Sequence, residues 1–306
     1  MSAAPPSGEQ IELSFGGQRA VVVEVGGGLR SFEVDGRKIL DGYEADSICD
    51  GSRGQVLIPW PNRTRDGRYE WERESLQLDL SEPEAANAIH GLLRWRSWVV
   101  RERSAASVVM SHRLHPSPGY PWMLELELRY ELGEEGLAVS ARATNAGATP
   151  APFGIGFHPY LRALDSDTVD SCTLTVPAAT RLIADERSIP YSRESVEGTA
   201  FDFRDQRAIG ELVLADCFTD LARDGEGRVR VVLGSSAGER RSVLWLDDSY
   251  GFVMVFSGET LAPAARRRGL AVEPMSCAPN ALQSGEGLVR LDPGATHISR
   301  WGLSAS

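Results

Sequence analysis

The chain is 306 residues long, 42% hydrophobic and 25% charged, the balance of a globule that buries its own core, so disordered and collagen-like architectures are excluded. Its 43 acidic residues outnumber 32 Lys and Arg for a formal charge of −11, which argues against a nucleic-acid backbone or an anionic membrane surface as partner. At about 150 residues per domain two domains fit, but a β-sandwich reaches this size alone and no composition break marks a linker.

Met1–Gln10 is polar and Pro-containing, with neither the basic start nor the apolar run of a signal peptide. Short strand-like runs follow at Gln10–Phe15 and Arg19–Val25, and Gly26-Gly27-Gly28 reads as a hairpin turn, lacking the Lys and helix of a phosphate loop. Ser97–Arg103 and Ser107–Leu114 continue the pattern. The clearest signal comes next: Leu124, Leu126, Leu128, Tyr130 and Leu132 alternate with Glu125, Glu127, Arg129 and Glu131. Period two puts one face in a core and the other in water. Gly133-Glu134-Glu135-Gly136 supplies a turn, and Leu137, Val139, Ala141 and Ala143 resume the alternation, which predicts an antiparallel hairpin. Ser192–Ala200 is expected as a loop with at most one helical turn. Further strands are predicted at Cys172–Val176, Arg228–Leu233, Val243–Leu246, Phe252–Phe256 and Leu288–Leu291.

No long 3.6-period stripe, βαβ alternation or internal repeat interrupts this series, so the expectation is one large antiparallel β domain over residues 1–306. No run approaches the roughly 18 apolar residues of a membrane span. Cys49, Cys172, Cys217 and Cys277 are scattered without close-spaced ligands, which predicts free thiols in a cytoplasmic protein rather than disulfides or a zinc site.

Four islands break the alternation with polar residues among Pro, Gly and aromatics. In Ile58-Pro59-Trp60-Pro61-Asn62-Arg63, two prolines stiffen a loop that presents Asn62 and Arg63, a donor set suited to hydroxyls. A solvated surface turn explains that island equally well. Ala88-Ile89-His90-Gly91 and Gly156-Phe157-His158-Pro159-Tyr160 each place a His at a strand end, where its ring can face a cleft and move a proton. A lone histidine is more often a hydrogen-bonded structural residue, and His112, His115 and His297 fit that description. In Val272-Glu273-Pro274, a carboxylate held among apolar neighbours becomes a stronger base; an exposed Glu beside a turn is the plain alternative. Asp216, in Leu214-Ala215-Asp216-Cys217-Phe218, is a weaker candidate acid, as is Asp220. H-E-x-x-H and G-x-S-x-G patterns are absent.

In this order and spacing, Pro61-Asn62-Arg63, His90-Gly91, Gly156–Tyr160, Asp216-Cys217-Phe218 and Glu273 resemble the aldose 1-epimerase (galactose mutarotase) family. The resemblance implies an all-β fold, a large antiparallel sandwich of the galactose mutarotase-like supersandwich type. It also implies a small sugar as substrate, with no metal, nucleotide or other cofactor. Glu273 then resembles the base that takes the C1-hydroxyl proton, and His158 the acid that protonates the ring oxygen. Arg63, His90, Asp216 and Asn62 resemble binders of the ring oxygen and hydroxyls. Some members carry an amide where this chain has Met254, a change in hydroxyl reading.

Three rivals stand beside a free-sugar mutarotase. Arg63, Arg65, Arg68, Arg94 and Arg96 suit the 1-epimerisation of a hexose 6-phosphate or another anionic sugar, unless they only balance Asp66, Glu70, Glu72 and Glu74. A non-catalytic carbohydrate-binding sandwich needs Arg63 and a platform among Trp60, Trp71, Trp95 and Trp98, but no Glu–His pair. A glycoside hydrolase pairing Asp216 with Glu273 leaves both histidine islands without a role.

Overall fold

A computed structural model describes residues 4–306, so the first three residues of the Met1–Gln10 stretch lie outside the described residues. Nine strands form one sheet in the order Val99–Arg103, Ser107–Leu114, Leu124–Gly133, Gly136–Asn145, Thr296–Ala305, Arg241–Leu246, Val229–Gly234, Thr173–Thr175, Arg207–Ala208. The second large sheet runs Pro190–Ser195, Ala178–Ala184, Ala215–Leu221, Phe252–Phe256, Gly269–Met275, Gly156–Phe157, Val56–Leu57, with Tyr160–Arg162 also pairing on Gly269–Met275. A four-stranded sheet, Gln10–Phe15 to Arg37–Lys38, precedes them in the chain. Neighbouring strands in these sheets run antiparallel, and the α-helical part among the described residues is the single turn Ala281–Ser284. No helix among the described residues is long and apolar enough to cross a membrane.

The predicted hairpin pairs Leu132 with Leu137 and Gly133 with Gly136, leaving Glu134 and Glu135 at the tip. Leu124, Leu126, Leu128, Tyr130 and Leu132 are buried, as are Leu137, Val139, Ala141 and Ala143. Each large side chain so buried contributes about 1.5–3 kcal/mol. Truncating Leu128, which has no exposed surface, to Ala would cost about 2–5 kcal/mol. One contiguous core joins these residues to Phe157, Phe218, Val253, Val255, Leu270 and Val272 of the second sheet.

Two stretches differ from expectation. Residues Ser192–Ser195, expected as loop, belong to the strand Pro190–Ser195, which pairs with Ala178–Ala184 at the sheet edge. Polar side chains exposed on both faces hide its period. Gly269–Met275 is a central strand in which every residue is buried, so it too shows no alternation.

Candidate active site

The first two islands fold into each other. Arg63–Arg65 pairs with Asn87–Ile89 as a short ribbon. At its end Asn62 and His90, both with left-handed backbones (φ 56° and 62°), face one another. The Asn62 N–H donates to His90 Nδ1 at 3.1 Å, the His90 N–H donates to the Asn62 carbonyl at 2.9 Å, and the Arg63 N–H donates to Asn62 Oδ1 at 2.9 Å. Such backbone conformations cost of order 1–3 kcal/mol each outside glycine and persist where surroundings enforce them. Gly91 is required beside them: its φ is 68°, and a Cβ there would lie 2.0 Å from the Ile58 carbonyl oxygen.

The third and fourth islands meet across strands. Gly156 pairs with Met275 on one side and Leu57 on the other, which sets His158 beside Glu273. The His158 N–H donates to the Gln55 carbonyl (3.1 Å), its own carbonyl accepts from Gly54 (2.8 Å), and the Val272 N–H donates to the Pro159 carbonyl (3.0 Å). Asn280, in the turn after the Glu273 strand, donates its N–H to the Arg63 carbonyl and accepts from the Arg65 N–H, locking ribbon to strand.

The result is a buried trio, His90, His158 and Glu273, with one ligand atom from each within 4.8 Å of the others. His158 Nε2 lies 3.2 Å from Glu273 Oε1, while Glu273 Oε2 and His158 Nδ1 have no partner among the described residues. Burial raises the Glu273 carboxyl to about 8, with Arg63 opposing weakly. Burial, followed by the charges of Arg94, Arg53 and Arg63, depresses His158. Both shifts favour the uncharged forms, a protonated Glu273 beside a neutral imidazole. An ionised Glu273 facing a protonated His158 differs from this state by transfer of one proton across the 3.2 Å between Oε1 and Nε2. Burial, then the neighbouring His158, likewise keeps His90 neutral.

His90 Nδ1 accepts a main-chain N–H, so in the neutral ring Nε2 carries the hydrogen. The trio has the composition of a metal-ligand set. A metal would need the lone pair of His90 Nε2, and the tautomer makes that nitrogen a donor instead. The residues present fit proton transfer and hydroxyl recognition better than an ion.

These groups line a cavity of about 420 Å³ together with Asn62, Arg63, Arg94 and Trp95. Arg63 makes a two-pronged ion pair with Glu82, 2.8 Å at each contact. Burial pushes Glu82 upward, but its bonds to Arg63 and Asn87 hold it below the usual range. Met254, opposite Glu273 on the neighbouring strand, lines the wall. Of the four tryptophans considered, Trp60 and Trp98 are core residues and Trp71 packs edge-on against Trp122; Trp95, 55% exposed, lines the cavity.

Asp216 is not brought to this cavity. It registers with Val255, whose side chain is in the core, whereas Ala215 and its partner Phe256 line the cavity. Alternation puts Asp216 on the other face, where it accepts from Arg181 Nη1 at 2.7 Å. Among the described residues, no second free carboxylate therefore joins Glu273 in the cavity. The Asp216 oxygens accept from Arg181 and the Ala215 N–H on that other face, and Glu82, the other carboxylate of the cavity lining, is engaged by Arg63. Elsewhere, His112 Nδ1 lies 3.0 Å from the Ser97 carbonyl, and the four cysteines are unpaired and buried.

Tyr160, the last residue of the third island, supports His158 and is itself held by Arg53 and Asp41, which have no signal in the sequence. The Tyr160 ring stacks on His158 (centroids 5.1 Å apart, 16° between planes) and donates its hydroxyl to the Gly51 carbonyl at 3.1 Å. The Arg53 guanidinium lies 4.8 Å from the centroid of the Tyr160 ring. Arg53 is held by Asp50 at 2.6 Å and Asp41 at 3.3 Å, and Asp41 also takes Arg162 and Arg268. Residues 41 and 53 meet only through tertiary structure.

The family model described as aldose 1-epimerase matches residues 9–304. The chain belongs to the aldose 1-epimerase family. An Escherichia coli K12 relative described as the uncharacterized protein YihR is 35% identical over 292 residues, 95% of this chain and 91% of its own length. The aldose 1-epimerase of the same organism is 28% identical over 224 residues, 69% of this chain and 61% of that enzyme. A Caenorhabditis elegans structure described as a GalM/aldose epimerase homologue superposes with a TM-score of 0.86 at 20% identity, covering 97% of this chain and 98% of the other. The antiparallel galactose mutarotase-like sandwich expected from the motifs is thus the fold of this aldose 1-epimerase family member.

Proposed function

We propose that the protein interconverts the α and β anomers of a hexopyranose, with residues 1–306 acting as one domain. Glu273 takes the proton of the C1 hydroxyl as His158 delivers one to the ring oxygen. The O1 electrons form the aldehyde C=O, and the C1–O5 pair leaves to O5. Rotation about C1–C2 and reversal of these transfers close the ring on the other face. His90 Nε2–H and Arg63 donate to ring oxygen or hydroxyls, and the Asn62 turn holds both in place. No cofactor enters the scheme. Four unpaired cysteines support a cytoplasmic setting.

One observation carries the reading: a buried imidazole and carboxyl 3.2 Å apart in the wall of a cavity of about 420 Å³. A binding module has no use for such a pair, and a hydrolase would need a second free carboxylate there, whereas Glu82 is engaged by Arg63. Polarimetry on freshly dissolved α-glucose and α-galactose tests it. Glu273→Gln and His158→Asn should each lose roughly 10²–10⁴-fold in catalysed rotation. Parent-like relaxation in both variants would remove the pair from the mechanism.

A further inference from the structure

The cavity holds one guanidinium that makes no ion pair among the described residues, and Glu82, spent on Arg63, acts on it only from beyond contact. Arg63 is matched by Glu82, and Arg65, Arg187 and Arg181 are matched by Asp185, Asp66 and Asp216 outside it. Arg94 lines the cavity and, among the described residues, has no carboxylate within ion-pair distance. Its Nη1 donates to Ser52 Oγ at 3.0 Å and its Nη2 to the Ile89 carbonyl at 3.3 Å. A guanidinium offers about five N–H donors in a rigid fork, so most of its capacity is left for a ligand. Ser52, whose Oγ accepts from Arg94, keeps its own hydroxyl proton to donate. Desolvation is felt by the group, since burial lowers Arg94 from its usual value. A partly buried cation without a contact partner is a costly arrangement unless something negative comes to it.

We propose that Arg94 and Ser52 form an anion subsite of the sugar cavity, and that the preferred substrate is a pyranose carrying one singly charged oxyanion, a carboxylate being the simplest, on a carbon other than C1. The inference rests on the mutarotase reading and narrows it. Charge matching sets the class. One uncompensated guanidinium balances one negative charge, whereas a phosphate monoester brings about −1.5 to −2 at pH 7 and would leave part of it unmatched. Bidentate binding of a planar or tetrahedral oxyanion suits the free edge of the fork. The subsite also couples to the chemistry. Arg94 leads the cations that disfavour protonation of His158, after burial itself. An anion seated on Arg94 removes much of that opposition, so the acid form of His158 becomes easier to reach when the charged substrate is bound. The gain then falls in kcat as well as in KM.

The test compares catalysed mutarotation of α-glucuronate, α-galacturonate, glucose 6-phosphate, α-glucose and α-galactose, measured by NMR exchange above the uncatalysed rate. A calorimetric Kd for glucuronate and for glucose is taken in parallel. A uronate should exceed its neutral parent sugar at least tenfold in kcat/KM, and its advantage should shrink with added salt. Arg94→Gln should bring that ratio to within about threefold of one, and Arg94→Lys should retain part of it. The acid limb of kcat should lie at higher pH for the uronate than for the neutral sugar. Equal ratios in parent and Arg94→Gln overturn the subsite, as does tenfold preference for the phosphate over the carboxylate. Loss of turnover on every sugar overturns the mutarotase reading instead, and the two Kd values then decide the subsite on their own: tighter glucuronate binding that needs Arg94 supports it, and equal binding ends it.

Discussion

Replacing Glu273 by Gln should make the protein more stable in alkali than its parent. Burial raises the carboxyl from 4.5 to about 8, so the folded state keeps a proton that the unfolded chain has released. The folded state thus binds more protons between these limits, and through this group the parent loses stability as pH rises across them. At about 1.4 kcal/mol per pH unit, the interval from pH 5 to pH 8 removes about 4 kcal/mol. His158 acts in the opposite sense. Its folded pKa is depressed, so its contribution is lost as pH falls below the ordinary imidazole range, down to about 3. Where the two ranges overlap, from 4.5 to 6.5, the slopes largely cancel and the parent should show a plateau. The amide introduced by Glu273→Gln retains a donor for His158 Nε2 and has no proton to release. Urea unfolding at pH 5 and pH 8.5 measures the effect. The variant should gain about 4 kcal/mol on the parent between the two. A difference that stays constant with pH would refute the assignment of a neutral buried carboxyl.

The same electrostatics sets the pH dependence of turnover. The pair works while it holds one proton between its two members, so kcat/KM should fall on an alkaline limb near 8; constant activity through about pH 10 would contradict this. Tyr160→Leu removes the ring stacked on His158 and keeps the donors of His90, Arg63 and Arg94, while the lost hydroxyl was spent on the Gly51 carbonyl, so kcat should drop about tenfold with KM little changed. A rise in KM alone would place Tyr160 against the sugar instead. Asp216→Ala breaks the Arg181 ion pair on the far face of the sheet. It should cost about 1 kcal/mol in stability and leave KM within about threefold. A tenfold rise in KM would show that its carboxylate reaches substrate after all.

Legibility followed exposure. The Leu124–Leu132 and Leu137–Ala143 strands read plainly because each has one wet and one dry face. Gly269–Met275, dry on both faces, and Pro190–Ser195, wet on both, gave no period. His90, His158 and Glu273 stood out because polar residues sat among Gly and Pro, at positions that in the structure are close backbone approaches. Asp216 stood out by motif alone, and the motif carries no information on which face of a strand a side chain takes. Arg94 is one of five arginines crowded into the same region of sequence. It is singled out only by structure: of the five, Arg63 and Arg94 line the cavity, and Arg63 is paired with Glu82. The support joins Asp41 and Arg53 to Tyr160, more than a hundred residues further along the chain, and no local pattern encodes such a meeting.

The bond from the Asn62 peptide nitrogen to His90 Nδ1 has an evolutionary corollary. The donor belongs to the polymer and not to any side chain, so the orientation and hydrogen of the imidazole are inherited by every sequence that keeps this turn. Neighbouring positions can then drift or be randomised in a laboratory library to recruit new sugars without resetting that ring. Proline is the exception at position 62, because it alone deletes the donor. Descendants of this scaffold should therefore diversify in what they bind well before they diversify in how the ring is opened.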